Sequence, residues 1–250
     1  MNTLGIDVGG SGIKGAIVDI NAGQLVGDRI RLVTPDPSTP KAVAKVIKKL
    51  VKQFDYQGPV GVGFPGVMLH GVCYTAANID SSWINTNVEQ VFQEETGNPF
   101  YVANDADVAG LAEVRYGAAK DFKGVVLVIT LGTGIGTAIF NDGVLLPNLE
   151  FGHLKIREKD AEKRASAAVK VKKDLSWKEW AASVEEYLRI MEDLFWPDLI
   201  IVGGGISRNH AKFFPYINIR TKIVPAQLYN QAGIIGAALF ASISHSFKAS

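Results

Sequence analysis

Residues 6–19 read Ile6-Asp7-Val8-Gly9-Gly10-Ser11-Gly12-Ile13-Lys14-Gly15-Ala16-Ile17-Val18-Asp19. Residues 129–142 repeat the plan as Ile129-Thr130-Leu131-Gly132-Thr133-Gly134-Ile135-Gly136-Thr137-Ala138-Ile139-Phe140-Asn141-Asp142. Each stretch passes from a short β-rich run through a glycine turn into a second run that ends on an aspartate. Two copies of one hairpin in one chain predict a duplicated α/β domain, each copy facing its twin across a cleft. Gly10-Ser11-Gly12-Ile13-Lys14-Gly15 formally matches the dinucleotide pattern G-x-G-x-x-G, but that fingerprint opens a helix. Here residues 13–20 continue as a strand, and no Walker sequence G-x-x-x-x-G-K-[ST] occurs.

Working outward, Asn21-Ala22-Gly23 turns into a third strand ending near Val33, and Thr39-Pro40 reads as a helix start. Val43, Ile47, Leu50, Val51 and Phe54 then mark a buried helical stripe. Residues 60–64 and 100–103 are apolar strands, the first broken by Pro65-Gly66 and the second followed by Asn104-Asp105 and a helix to about Tyr116. Ser176-Trp177-Lys178-Glu179 is a capping-box signature for a helix to about Trp196. Residues 199–202 form a strand before Gly203-Gly204-Gly205, and residues 232–243 a small-residue-rich terminal helix. The domain boundary falls at the helix containing Glu113, giving segments 1–112 and 113–250, with the last helix able to pack back on the first domain.

The 250 residues fit one large domain or two small ones, and 47% hydrophobic content supports a sizeable core. The net charge of +1 gives no global reason to expect nucleic acid or an anionic membrane. A single cysteine, Cys73, excludes a disulfide framework and a multi-cysteine zinc site. No signal peptide is evident and no apolar run approaches the ~20 residues that span a bilayer. These features read as a cytoplasmic protein.

Glycine-rich turns after buried strands let consecutive backbone N–H groups converge on a phosphate, and Ser11 and Lys14 add a hydroxyl and a charge. Gly132-Thr133-Gly134 and Gly203-Gly204-Gly205 offer two further cradles; the alternative is that each is merely a tight turn. Asp7, at the end of a strand before the first loop, suits either a water-mediated Mg²⁺ contact or a turn-stabilising role. Asp105, where a strand gives way to a helix, suits either a general base or a helix N-cap. An aspartate of ordinary pKa, ~3.9, is ionised at neutral pH and ready to take a proton. Glu150-Phe151-Gly152-His153 sets a carboxylate and an imidazole beside a glycine, a pair suited to sugar hydroxyls, although a lone histidine is more often structural. Residues 155–178 carry nine basic and four acidic side chains, a solvated face or a track for a polyanion.

Taken together, Asp7-Val8-Gly9-Gly10-Ser11-Gly12-Ile13-Lys14, Gly63-Phe64-Pro65-Gly66, Asn104-Asp105-Ala106-Asp107, Leu131-Gly132-Thr133-Gly134-Ile135-Gly136, Glu150-Phe151-Gly152-His153 and Gly203-Gly204-Gly205-Ile206 resemble the ROK family of sugar kinases. Asp160-Ala161-Glu162 with Ala165-Ser166, Leu175-Ser176-Trp177, and the segment from Arg220-Thr221 to Val224-Pro225-Ala226 are similar to its polyphosphate-using glucokinases. The resemblance implies duplicated actin-like (ribonuclease H-like) ATPase-type domains. It implies Asp105 as the base, with Gly66, Asn78, Asn104, Glu150, His153 and Glu162 at the sugar. Asp7, Gly9, Gly10, Ser11, Gly12, Lys14, Thr133, Gly134, Gly204 and Gly205 would hold the phosphate donor, with Mg²⁺ and no zinc. The expected reaction moves a phosphoryl group from inorganic polyphosphate, with ATP as a second donor, to the 6-hydroxyl of glucose, with mannose as a second acceptor. A homodimer is implied, with neither nucleic acid nor membrane as partner. The alternatives are an ATP-dependent hexose or N-acetylhexosamine kinase, and a non-enzymatic sugar sensor on the same fold.

Overall fold

The computed structural model describes residues 1–249. In chain order it forms β1 (Asn2–Gly9), β2 (Gly12–Asp19), β3 (Gln24–Leu32), α1 (Pro40–Gln53), β4 (Val60–Phe64), α2 (Val88–Thr96), β5 (Phe100–Asn104) and α3 (Asp105–Tyr116). There follow β6 (Val125–Leu131), β7 (Ile135–Asn141), β8 (Val144–Leu149), α4 (Glu162–Ala165), α5 (Ala167–Lys172), α6 (Trp177–Phe195), β9 (Leu199–Gly203), β10 (Ile223–Pro225) and α7 (Ala232–Ala249). Residues 1–112 with the chain from Gln231 onward make one compact unit, and residues 113–230 make another. The last helix, which the sequence reading allows to pack back on the first domain, lies in the first unit.

Among the described residues each unit holds a five-stranded sheet, β3-β2-β1-β4-β5 in the first and β8-β7-β6-β9-β10 in the second. In each, three antiparallel strands pass into two parallel ones. The duplication legible in two hairpins thus extends to two whole sheets with one topology, the actin-like plan. The parallel strands β4 and β9 are buried throughout, as continuous apolar runs covered on both faces must be.

Local chemistry sets the ends of these elements. Thr39 Oγ1 accepts from Ala42 N at 3.4 Å ahead of Pro40, and Val43, Ile47, Leu50 and Val51 form the buried stripe of α1. α6 opens on the full Ser176/Glu179 capping box and ends at Phe195, one residue short of the expected Trp196, which adopts the left-handed conformation as its C-cap. Asp142 and Gly143, at φ 50° and 84°, make the tight turn between β7 and β8. The edge strand β10 carries no turn signal strong enough to read in sequence.

The first core centres on a file of aromatic rings, two contacts edge-to-face and the last tilted, measured between ring centres. Phe64 lies 4.8 Å from Trp83, Trp83 lies 5.7 Å from Phe92, and Phe92 lies 5.4 Å from Phe100. The buried Trp83 indole donates to the Ser38 carbonyl at 2.8 Å. The second core gathers Trp180, Tyr187, Leu188 and Phe213 under β6 and β9. Its Trp180 indole donates to the carbonyls of Ala165 and Ser166, both at 3.1 Å.

Helix α7 crosses β1, β4 and β5, and its small residues let it approach closely. A Cβ on Gly61 of β4 would land on the Ala237 carbonyl, and one on Gly236 would land on the Val108 carbonyl of α3. Backbone lies on both sides of each contact, so neither can yield. No helix among the described residues is long and apolar enough to cross a membrane. Gly61→Val should lower unfolding free energy by about 3 kcal/mol or more, the upper range for overpacking a core. Urea denaturation checks this, and an unchanged midpoint would contradict the packing.

Candidate functional site

In the first unit β1, β4 and β5 run parallel, so their C-terminal ends share one edge of the sheet. Asn104, 6% exposed, ends β5 and caps α3. Its Oδ1 accepts from Ala106 N at 2.8 Å and Asp107 N at 3.3 Å, while its Nδ2 donates to the Gly66 carbonyl at 3.1 Å. The capping role left open for Asp105 thus falls to Asn104. Asp105 is the first helical residue, half-buried, with its backbone over Gly63.

Gly63 is flanked in register by Asp7 on β1 and Ala103 on β5. At the usual ~4.8 Å between strands, Asp7 and the end of β5 lie about 10 Å apart. Asp7 Oδ2 accepts from Lys14 Nζ at 2.9 Å across the β1–β2 hairpin, whose turn is Gly10-Ser11. Thr34 Oγ1 donates to the Gly9 carbonyl at 2.5 Å, and Arg31 Nη2 to the Ser11 carbonyl at 2.9 Å. Gly10 backs onto the Asn78 carbonyl. The structure therefore gathers Asp7, Gly9, Gly10, Ser11, Gly12, Lys14 and Asn78 along the same edge as Gly66, Asn104 and Asp105. Arg31, which sequence reading passed over, pairs in register with Lys14 and adds a second cation beside the loop. No local signal marks it, because its place opposite Lys14 is set by the strand register.

In the second unit the loop of Gly132, Thr133 and Gly134 follows β6 and is closed by Gly132 N donating to the Gly134 carbonyl at 3.0 Å. Gly204, at φ 81° after β9, lies against the Leu131 carbonyl so closely that a side chain would collide with it. Ser207 donates to the Gly204 carbonyl through N at 3.1 Å and Oγ at 2.8 Å. Thr133, Gly134, Gly204 and Gly205 thus sit at adjoining ends of two parallel strands.

Glu150 precedes the turn Phe151–His153, which is seated by Gly152 against the Ile135 carbonyl and by Phe151 N donating to Thr137 Oγ1 at 3.2 Å. His153 lies between two carboxylates, with Nε2 3.6 Å from Glu150 Oε2 and Nδ1 3.9 Å from Glu162 Oε1. Burial raises the Glu150 carboxyl above its ordinary range; His153 counters this and the Glu162 charge adds to it. Asp160 Oδ1 is held by Lys155, and its Oδ2 by Lys163 at 2.7 Å. Hydrogen bonds from these two ammonium groups bring the Asp160 carboxyl down to about 2. His153, Asp160 and Glu162 bring ligand-type atoms within 4.8 Å of one another. Both Asp160 oxygens already face an ammonium, however, which disfavours a metal ion there.

The basic stretch 155–178 is partly spent on its own fold. Besides Lys155 and Lys163, Arg157 and Arg164 reach Glu186 at 2.8 and 2.5 Å. Lys170 donates to the Leu175 carbonyl at 2.9 Å and lies 4.3 Å from the Trp177 ring centre.

Over 237 residues, covering 94% of this chain and 89% of the relative, the sequence is 54% identical to a polyphosphate glucokinase of Mycobacterium tuberculosis. The crystal structure of an inorganic polyphosphate/ATP-glucomannokinase from an Arthrobacter strain superposes with a TM-score of 0.94 at 49% identity, covering 98% of this chain and 99% of that one. A ROK family glucokinase from Streptomyces griseus, at 24% identity and TM-score 0.83 over 97% of this chain and all of that one, shares the fold. The ROK family profile matches residues 3–163. With the repeated sheet, the glycine loops and the Glu150–His153 turn all in place, the chain belongs to the ROK family.

Proposed function

We propose that this chain transfers the terminal phosphoryl group of inorganic polyphosphate to the 6-hydroxyl of glucose, giving glucose 6-phosphate. The observation that carries the reading is at the end of β5, where Asn104 caps α3 and sets Asp105 as the first helical residue on the edge that also holds Gly66 and the first glycine loop. The relatives' names support the donor and the acceptor, and the Arthrobacter protein's name extends the reading to ATP and mannose.

The 6-hydroxyl oxygen bonds to the terminal phosphorus while the bridging P–O bond breaks. The proton passes to Asp105, and the shortened chain leaves with the electron pair on its new terminal oxygen. Phosphoryl transfer asks for positioning and charge neutralisation more than covalent help. The amides of Gly9, Gly10 and Gly12, with Ser11 and Lys14, take phosphate oxygens, as do those of Thr133, Gly134, Gly204 and Gly205. Asn78, Asn104, the Gly66 backbone, Glu150, His153 and Glu162 take sugar hydroxyls. The chemistry Mg²⁺ would supply, if held with the donor, is neutralisation of phosphate charge. Asp7 suits it only through water, because Lys14 already occupies Oδ2.

Asp105→Asn should reduce glucose 6-phosphate formation by roughly 10²–10⁴-fold, the scale of general-base catalysis, in a coupled assay. Its melting temperature should hold, since the cap belongs to Asn104; near-normal turnover would remove the assignment.

Glu150→Gln should separate stability from binding. The Glu150 carboxyl is raised in the folded state, so folding disfavours its charged form. That penalty is absent below the ordinary carboxylate range, grows as pH rises through the raised value, and is fully present at neutral pH. Glutamine removes it, so the melting temperature should rise at pH 7, and the advantage should vanish in acid. The KM for glucose should rise at the same time. A variant less stable at pH 7 with an unchanged KM would contradict both roles.

A further inference from the structure

Helix α1 bears Lys41, Lys45, Lys48, Lys49 and Lys52 and no acidic residue. Lys48 reaches Glu95 at 2.9 Å, while Lys41, Lys45, Lys49 and Lys52 are exposed. Lys41 and Lys45, Lys45 and Lys49, and Lys48 and Lys52 are each four residues apart, the spacing at which like charges repel along a helix. Lys41 also stands in the first turn, where the helix dipole disfavours a cation. This file is therefore self-repulsive in the free protein and relieved by an anion. From Lys41 to Lys52 it runs about 16 Å at ~1.5 Å per residue, too long for one phosphate and suited to a chain of them. Lys45, Lys48, Lys49, Lys52 and Gln53 line a concavity of about 450 Å³ along it.

The file also starts close to the first glycine loop. Gly10 backs onto Asn78, and two residues on, Asp80 N donates to Ser38 Oγ at 3.1 Å. Ser38 directly precedes Thr39, the cap of α1. One short segment therefore spans the gap between the loop and the first lysine. The face holds no aromatic ring on which a base could stack. Its apolar stripe is buried in the core, leaving nothing to insert into a lipid surface. Both facts favour a polyanion without bases.

We propose that the lysine face of α1 is an accessory binding site for the body of a long inorganic polyphosphate chain whose end is consumed at the glycine loops. The inference rests on the reaction proposed above and adds a second place where the donor is held.

The test compares the parent protein with Lys45→Gln/Lys49→Gln/Lys52→Gln, which keeps helix propensity, removes like-charge pairs and should melt no lower than the parent. Binding of fluorescently labelled long-chain polyphosphate is titrated across a salt series, with tripolyphosphate as the short competitor. The triple variant should bind the long chain about ten-fold or more weakly, and its log–log salt slope should shrink by roughly 2, near 0.7 per lost contact. Tripolyphosphate affinity should be unchanged. Equal long-chain affinity and slope in the two proteins would overturn the site. So would parent protein that binds single-stranded RNA of matched length more tightly than polyphosphate, with the preference lost in the variant. Failure of the parent to make glucose 6-phosphate from polyphosphate would count against the reaction instead, so the two failures are told apart.

Discussion

One side chain fixes the geometry on which the proposed chemistry depends. The Asn104 amide accepts from two amides at the start of α3 and donates to the carbonyl of Gly66 after β4. Strand β5, helix α3 and the loop after β4 are thereby tied at one buried point. A buried amide with both ends satisfied holds its place firmly, since breaking either bond strands a polar group away from water. The following residue, Asp105, starts the helix from that fixed point. Catalytic groups need this kind of support, because small displacements cost large factors in rate.

The same economy recurs at the other strand ends. Parallel strands bring their C-terminal ends to one edge, and after β1, β6 and β9 the loop that follows is rich in glycine. Glycine is required rather than merely tolerated where Gly204 turns at positive φ against Leu131. Charges are placed sparingly around these loops. Lys14 is balanced by Asp7, Arg31 is anchored on a carbonyl, and much of the basic stretch 155–178 is absorbed by Asp160 and Glu186. Against that background the lysine file on α1 stands out, since only Lys48 has an ion-pair partner among the described residues and Lys41, Lys45, Lys49 and Lys52 are exposed.

Much of this was legible in sequence because the signals are local. The repeated hairpin, the Thr39-Pro40 start, the capping box at Ser176 and the Asp142-Gly143 turn each depend on a few neighbouring residues, and each appears where expected. Strand β10 and the pairing of Lys14 with Arg31 were not legible, because both are fixed by partners distant in sequence. The unit to which α7 belongs also depends on distant contacts, namely glycines on β4 and α7 that admit backbone to backbone. Asn104 and Asp105 were both picked out, but which of them caps α3 could be settled only by hydrogen bonds. In the basic stretch, the pairing of Arg157 and Arg164 with Glu186 was likewise not legible, since that partner lies outside the stretch.

The proposed reaction requires the Asp105 carboxylate to meet the hydroxyl that is to be phosphorylated. A crystal structure of the protein with bound glucose measures this directly. An oxygen of Asp105 should lie about 2.6–3.2 Å from the 6-hydroxyl, the reach of a working general base. A sugar seated with its 6-hydroxyl beyond that reach, and another side chain in contact with it, would contradict the claim.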